Sequence, residues 1–205
     1  MRAFLPMSVL ALALCAVVPL AASANMADVV EETYSGYSVA APTPATVYVS
    51  HGFGCKYRTE INFTAKDHVA LSGLMAAGKT SAAAERRAVA AAGAWFDRRI
   101  APAAGTRNHV AAAGAKYMFD VGQFDCIDAS RNTTSLLLVL AQLKLLRHHS
   151  VDVPVSRGLL IDGRPPHYTA VLVDTANGVK WAVDSWTRGY GQPPEVMTLA
   201  RWLSE

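Results

Sequence analysis

One segment of the sequence is apolar on almost every side, and it restricts the fold more than any other feature. Residues 136–146 are leucine or valine at most positions, with Lys144 as the single charge. A helix with apolar residues all round its circumference is stable only when other elements cover it. The segment therefore predicts a buried helix within residues 124–149, around which the rest of the chain must pack.

Two short stretches rich in valine and aromatic residues, 167–173 and 179–184, follow this helix and predict adjacent β-strands. Asn177-Gly178 lies between them and is a strong signal for a tight turn. A turn centred between Thr175 and Ala176 would place His167 directly opposite Asp184. A turn centred on Asn177-Gly178 would shift the pairing of the two strands by four residues relative to that register. Both registers keep the two side chains on one face of the sheet. We predict the first, in which they lie about 5 Å apart.

The rest of the sequence predicts a mixture of helices and strands. A helix over residues 81–100 is indicated by apolar residues spaced three and four apart, with Ser81 as its N-cap and Pro102 as its stop signal. The fold class is therefore α+β, with the buried helix packed on an antiparallel sheet. Strands are also predicted within residues 47–50, 60–64 and 154–161, and a short helix or an edge segment within residues 195–205.

The N-terminal residues 1–24 have the composition of a signal peptide. A positive start at Arg2 precedes the apolar residues 9–20, and Ala22-Ser23-Ala24 matches the small-x-small rule for cleavage. The apolar run is shorter than the ~20 residues that a transmembrane helix needs. We therefore expect an exported protein, periplasmic or secreted and soluble after signal cleavage, with no stable membrane insertion.

The remaining residues are expected to form one domain behind a short leader. Residues 25–45 are mostly small or polar and contain Pro42 and Pro44, so we interpret them as a polar leader or linker. Residues 46–205 have the length of a single domain with a sizeable core. The net charge of +3 and the lack of a basic cluster argue against a nucleic-acid partner.

Three residues suited to cysteine nucleophile chemistry lie on the predicted core elements. Cys126 opens the buried helix, His167 begins the first hairpin strand and Asp184 ends the second. A helix N-terminus and a neighbouring imidazole favour the thiolate, and a carboxylate beyond the imidazole fixes its tautomer. Asp125 and Asp128 act against this, because nearby negative charge disfavours a thiolate. The order of the three residues predicts acyl transfer through a Cys-His-Asp triad.

Other polar residues provide weaker candidates and one alternative. Gln123 is a candidate amide donor to an oxyanion hole beside the backbone N–H of Cys126, although capping the helix or facing solvent is a simpler role for it. His51 and Cys55 are too few to predict zinc, and no Cys-x-x-Cys pair occurs, so we expect no metal and no cofactor. Cys55 and Cys126 are the two cysteines beyond residue 24, and a disulfide between them is the alternative to a nucleophile.

A resemblance to a known superfamily rests on three segments: Gly122-Gln123-Phe124-Asp125-Cys126-Ile127-Asp128-Ala129, residues 167–173 and Trp181-Ala182-Val183-Asp184. In this order they resemble the transglutaminase-like branch of the papain-like superfamily, near the bacterial periplasmic transglutaminase-like cysteine peptidases. The resemblance implies a papain-like core in which Cys126 starts a buried helix and His167 and Asp184 lie on neighbouring strands. One difference is Ile127, where the peptidases often have an acidic residue, so their calcium dependence is not carried over.

The leading hypothesis is an exported cysteine-dependent amide hydrolase (a peptidase or amidase) or an acyltransferase, acting on a peptide or protein amide. Cys126 would attack the carbonyl, His167 would move the proton, and a thioester would pass to water or to a second amine. The alternative is a non-catalytic binding or structural domain of the same fold, with Cys55 and Cys126 disulfide-bonded. An enzyme similar to the arylamine acetyltransferases would use the same trio, but its acetyl-coenzyme A donor is cytosolic and the signal peptide argues against it.

Overall fold

The computed structural model describes residues 25–37, 40–158 and 165–205, so the predicted signal peptide lies outside the described residues. Within them the chain forms five α-helices and six β-strands in two antiparallel sheets, which confirms the α+β class. In chain order the elements are α1 (Met26–Tyr34), β1 (Thr46–His51), β2 (Tyr57–Asn62), α2 (Ala65–Ala76), α3 (Ala82–Ala104), α4 (Cys126–Gln142), β3 (His149–Arg157), β4 (His167–Asp174), β5 (Lys180–Asp184), β6 (Glu195–Thr198) and α5 (Leu199–Ser204).

The centre of the fold is α4, which packs against the four-stranded sheet β3-β4-β5-β6 and against β1 of the two-stranded sheet. Each apolar residue in its middle is at most 1% exposed, as a helix that is apolar on all sides requires; these residues are Leu136, Leu137, Leu138, Val139 and Leu140. Cys126 is the first residue of α4, so the fold carries a thiol at the start of its most buried element.

The buried helix is shorter than the sequence predicts. It ends at Gln142, because Lys144 adopts a left-handed conformation (φ 56°) and reverses the chain. The Leu145 N–H then donates to the Leu140 carbonyl over 2.9 Å and closes the helix end. His149 is consequently the first residue of β3 and not the last of the helix, so the prediction of a helix up to residue 149 was wrong.

The predicted N-cap of α3 is confirmed, but its predicted stop signal is wrong. The Ser81 hydroxyl accepts a hydrogen bond from the Ala84 N–H over 3.2 Å, at the start of the helix. Pro102 lies inside α3, which continues to Ala104 and ends before Gly105 at φ 73°. A proline in the last turn removes only one backbone hydrogen bond, so the helix can continue for two more residues.

The segment that we interpreted as a polar leader contains α1, which packs in the core. Val29 is fully buried and Tyr34 is 4% exposed. The Tyr34 hydroxyl forms a 2.6 Å hydrogen bond with the Ser135 hydroxyl in the middle of α4. The interpretation of residues 26–34 as part of a polar leader is therefore wrong. Although most residues of α1 are polar or small, the buried side chains on one face are enough to hold the helix against the core.

The β4–β5 hairpin adopts a register midway between the two that we considered. Ala170 pairs with Val183, so extension of the ladder places Asp184 beside Thr169 and two residues along from His167. The loop closes through Gly178, which has φ 72° and whose N–H donates to the Asp174 carbonyl over 2.7 Å. The prediction of directly opposed residues was wrong, but the even offset keeps His167 and Asp184 on one face as diagonal neighbours.

The remaining strand predictions hold with shifted bounds. The predicted strand at residues 47–50 is β1, and the predicted strand at residues 60–64 overlaps β2, which ends at Asn62. The predicted strand at residues 154–161 overlaps β3, and its last three residues fall outside the described ranges. The C-terminal segment contains both the edge strand β6 and the short helix α5. None of the described helices combines the length and the apolar character needed to cross a bilayer.

Candidate active site

The N-terminus of α4 is held by two carboxylates on either side of the thiol. Asp125 is the N-cap, and its Oδ1 accepts a hydrogen bond from the Asp128 N–H over 2.8 Å. Asp128 Oδ2 in turn accepts from the Asp125 N–H over 3.3 Å, which completes a capping box. Cys126 is half-buried between them, so its position is set by the geometry of the helix start.

The same two carboxylates hold a strained loop against the helix start. Residues 52–55 all have positive φ angles, 78°, 68°, 64° and 57° in order, and two of them are not glycine. The Gly54 N–H donates to Asp125 over 2.7 Å, while the Phe53 and Cys55 N–H groups donate to Asp128 over 2.9 and 2.7 Å. Left-handed non-glycine residues cost of order 1–3 kcal/mol each and persist only where surrounding contacts impose them. Asp125 and Asp128 therefore serve as structural acceptors at the helix start.

Asp128 makes the stability of the protein depend on pH. Burial, followed by the charge of Asp125, raises the pKa of Asp128 to about 7. An aspartate in an unfolded chain titrates near 4, so between about pH 4 and pH 7 the folded state keeps a proton that the unfolded state has lost. Stability therefore falls as pH rises through this window, by up to about 4 kcal/mol from this group.

We expect the free energy of unfolding of Asp128→Asn to fall less between pH 4.5 and pH 7.5 than that of the unaltered protein. Urea unfolding at the two pH values measures both changes, and their difference isolates Asp128. Asp67 does not interfere, because its hydrogen bond with Arg99 lowers its pKa to about 2, below the window. Equal pH dependence in the two proteins would contradict the assignment.

The structure brings His167 and Asp184 into direct contact. The His167 Nε2 lies 2.5 Å from Asp184 Oδ2, and Asp184 is 2% exposed. Two further donors complete the carboxylate: the Trp202 indole N–H donates to Oδ2 over 2.9 Å, and the Trp186 backbone N–H donates to Oδ1 over 3.1 Å. A carboxylate fixed by three donors holds the imidazole in one orientation.

Two indole rings flank the imidazole of His167. The ring centroid of Trp186 lies 4.8 Å from that of His167, and the ring of Trp202 lies 5.2 Å away. Because Nε2 bonds to a carboxylate, the proton of the neutral imidazole is assigned to Nε2. The His167 Nδ1 atom is buried and has no hydrogen-bond partner among the described residues, so its lone pair is available to accept a proton.

Cys126 lies against the backbone on both sides of His167. Its Sγ donates to the Pro166 carbonyl over 3.7 Å, and the N–H of Tyr168 also interacts with it. The thiol is not hydrogen-bonded to the imidazole, whose Nδ1 has no partner among the described residues. Hydrogen bonds between catalytic groups are often long or absent before substrate binds, and proton transfer here requires the thiol to turn away from Pro166.

The surroundings of Cys126 favour the neutral thiol. Burial raises its pKa, and the negative charges of Asp125 and Asp184 raise it further. The N–H groups of Tyr168 and of Cys126 itself lower it, but they do not outweigh burial. The sequence led us to expect surroundings that favour a thiolate, whereas the surroundings of Cys126 in the structure raise its pKa.

The Gln123 amide is engaged in a neighbouring loop, and the alternative disulfide between Cys55 and Cys126 is not formed. The Gln123 side chain is buried and spans a loop, accepting from the Val110 N–H over 2.9 Å and donating to the Asn108 carbonyl over 3.1 Å. Its amide is thus engaged away from the thiol, and we do not assign it to the oxyanion hole. Cys55 and Cys126 are both free thiols, and burial raises the pKa of Cys55 to about 11.

Sequence reasoning missed one important neighbour of the site. Trp186, two residues beyond Asp184 in the chain, packs its ring at a tilt against the imidazole of His167. Sequence reasoning did not connect Trp202 to the site, although Leu199 and Trp202, spaced three residues apart, could have indicated the apolar face of a packed helix. No group of three histidine, cysteine, aspartate or glutamate side chains in the described part of the chain is arranged to hold a metal ion.

Comparisons of the chain with protein-family models, with curated proteins and with solved structures give no match. The function is therefore inferred from the geometry around Cys126, His167 and Asp184.

Proposed function

We propose that the protein is an exported cysteine-dependent amide hydrolase built on a papain-like, transglutaminase-like core. The observation that carries the proposal is the meeting of three elements: the thiol of Cys126 at the start of α4 contacts the backbone beside His167, and His167 is hydrogen-bonded to the buried Asp184. The free state of both cysteines favours this function over a disulfide-bonded, non-catalytic domain.

The geometry supports a mechanism through a thioester. Cys126 Sγ attacks the amide carbonyl while His167 Nδ1 takes the thiol proton, and Asp184 stabilises the resulting imidazolium. The backbone N–H of Cys126, at the start of α4, would donate to the carbonyl oxygen as negative charge develops on it. His167 returns the proton to the leaving amine. Water then attacks the thioester with His167 as base, which releases the acid and restores the thiol.

The proposal is tested by trapping the acyl-enzyme. The mature protein is mixed with p-nitrophenyl acetate, quenched in acid and digested, and the cysteine peptides are analysed by mass spectrometry. We expect one acetyl group on the peptide that contains Cys126 and none on the peptide that contains Cys55, which is 1% exposed. Acetylation of other residues alone, or no acetylation, would contradict the proposal.

A further inference from the structure

Helix α5 covers the His167–Asp184 pair with the side chain of Trp202, which is 1% exposed. The indole N–H of Trp202 donates to Asp184 Oδ2 over 2.9 Å. The indole ring lies 5.2 Å from the imidazole of His167, at an angle of 42° between the two planes. One side chain from α5 therefore contacts both the proposed base and the carboxylate that orients it.

The oxygen Asp184 Oδ2 is shared between two donors. His167 Nε2 and the Trp202 indole N–H both bond to this oxygen, whereas Oδ1 accepts from the Trp186 backbone N–H over 3.1 Å. A hydrogen bond donated to a carboxylate stabilises its charged form and makes it a weaker acceptor for a second proton donor. The Trp202 N–H therefore reduces the attraction of Asp184 for a proton on the imidazole.

This sharing affects the protonation of His167. A carboxylate beside an imidazole favours the imidazolium, and the positive end of the indole N–H dipole on the same oxygen opposes that effect. Without the N–H, more of the negative charge of Asp184 would act on His167, and the imidazolium would persist to a higher pH. A base must be unprotonated before it can take the proton of the thiol, so the Trp202 N–H extends the range in which His167 can act toward lower pH.

The other charged and titratable groups that face His167 come from three further elements. Cys126 of α4 contacts the backbone on both sides of the histidine. Arg157 of β3 is its partner in the ladder. The Arg157 guanidinium lies 4.3 Å from the centre of the Trp202 ring, donates to the Trp202 carbonyl and pairs at 3.7 Å with Glu205 beyond α5. A phenyl ring at position 202 would keep the aromatic face and the carbonyl, so Arg157 would retain these partners.

We infer that Trp202 is a positioning residue of the proposed reaction, and that its indole N–H, by sharing Asp184 Oδ2 with His167, sets the pH above which His167 can act as the base. The inference rests on the proposed function, since it takes His167 as the base that serves Cys126. It also makes α5 a part of the active site.

The pH profile of Trp202→Phe tests this role, because the variant keeps an aromatic ring beside His167 and removes the N–H. The profile of kcat/KM for p-nitrophenyl acetate is measured from pH 4.5 to pH 8.5, and its acid side reports the protonation of the base in the free enzyme. We expect the midpoint of the acid side to move upward by about 0.5–1 pH unit, less than the 1–3 units that a full charge produces. Asp128 also titrates near pH 7, but it does so in every protein compared, so the difference between variants isolates Trp202.

Trp186→Phe is the matched control. The Trp186 ring lies 4.8 Å from that of His167 at an angle of 45°, close to the geometry of Trp202. Its indole N–H, however, donates to the Phe124 carbonyl over 3.2 Å and not to Asp184. The same change of ring should therefore leave the midpoint in place, whatever it does to the rate at the plateau.

A measurement on the unaltered protein gives a result even if Trp202→Phe does not fold. The indole N–H resonances of the ¹⁵N-labelled protein are followed by NMR over the same pH range, with Trp202 assigned by its nuclear Overhauser contacts to His167. We expect the Trp202 resonance to move with the midpoint of the kcat/KM profile, because its N–H bonds to the oxygen that also holds the titrating imidazole. Trp181 is the reference, since its indole N–H has no partner among the described residues and its ring lies against Arg86.

An unmoved midpoint in Trp202→Phe, an equal shift in Trp186→Phe, or a Trp202 resonance that does not respond to pH would overturn the role of Trp202. The proposed function would still stand in each of these cases, provided that activity depends on Cys126. Absence of activity that depends on Cys126 in the unaltered protein would overturn the proposed function and the role of Trp202 with it.

Discussion

Replacement of Cys126 by alanine is expected to lower the hydrolysis of p-nitrophenyl acetate by about 10⁴-fold or more, the scale seen when a covalent nucleophile is removed. Cys55, the other cysteine among the described residues, cannot take over, because it is 1% exposed and burial raises its pKa to about 11. The steady-state rate of p-nitrophenol release, corrected for hydrolysis in buffer alone, measures the loss. The fold should persist, since Cys126 is only half-buried and the capping box is made by Asp125 and Asp128.

Cys55→Ala provides the matched control for this experiment. It makes the same chemical change at a cysteine that lies in the strained loop at residues 52–55 and contacts neither His167 nor Asp184 through any hydrogen bond. We expect this variant to keep most of the activity, and thermal unfolding of both variants to be cooperative. Activity that survives in Cys126→Ala, or that is lost in Cys55→Ala with Cys126 intact, would assign the chemistry to another residue.

The parts of the site that could be predicted from the sequence depend on local periodicity. The apolar pattern of residues 136–146 requires burial, and an apolar helix that begins near Cys126 carries the thiol to the core. The alternation in the two hairpin strands places His167 and Asp184 on one face whatever the even offset. These inferences need no knowledge of distant contacts, which is why they survive errors in the helix end and in the register.

The hairpin register could not be predicted because turn chemistry and strand pairing compete. Asn177-Gly178 indicated a turn centred on those residues, whereas direct opposition of His167 and Asp184 requires a turn centred two residues earlier. The structure uses Gly178 in a left-handed conformation near the end of a longer loop, and the pairing falls between the two. The imidazole reaches the carboxylate diagonally across the strands, an arrangement that side-chain length permits and spacing alone does not reveal.

Other parts of the site depend on contacts between segments far apart in the chain. Trp202 reaches Asp184 from the C-terminal helix, and Phe53 reaches Asp128 from the first hairpin. α1 also packs on the core, through the hydrogen bond between Tyr34 and Ser135, although the composition of its segment suggested a linker. Such contacts are decided by how the elements pack together, and no local pattern in the sequence encodes them.

The largest effect on stability is expected at Glu85, a fully buried carboxylate at the start of α3. It accepts hydrogen bonds from the N–H groups of Arg147 and His148 over 2.6 and 3.0 Å, and from His149 Nδ1 over 2.9 Å. Burial raises the pKa of Glu85, but these hydrogen bonds outweigh it and hold the pKa below its usual value. Since His149 Nε2 lies 3.1 Å from Arg86 Nη1, the imidazole donates to Glu85 and accepts from Arg86. Glu85 thus anchors the chain between α4 and β3.

We expect Glu85→Ala to lower the free energy of unfolding by about 3–5 kcal/mol, because it leaves two backbone N–H groups and one imidazole N–H buried without an acceptor. Urea unfolding at pH 7 measures the change. Glu85→Gln should be less destabilising, since the amide oxygen still accepts from part of the set.

The control is Glu195→Ala, which removes an ion pair with Arg188 at 2.5 Å whose side chains are 31% and 44% exposed. Exposed pairs contribute less than about 1 kcal/mol, so this variant should remain close to the unaltered protein. A loss in Glu85→Ala no larger than in Glu195→Ala would mean that water reaches the freed N–H groups, and that the chain between α4 and β3 is held by apolar packing alone. A large loss would show that the Glu85 carboxylate, through its bonds to residues 147–149, anchors the chain where β3 begins.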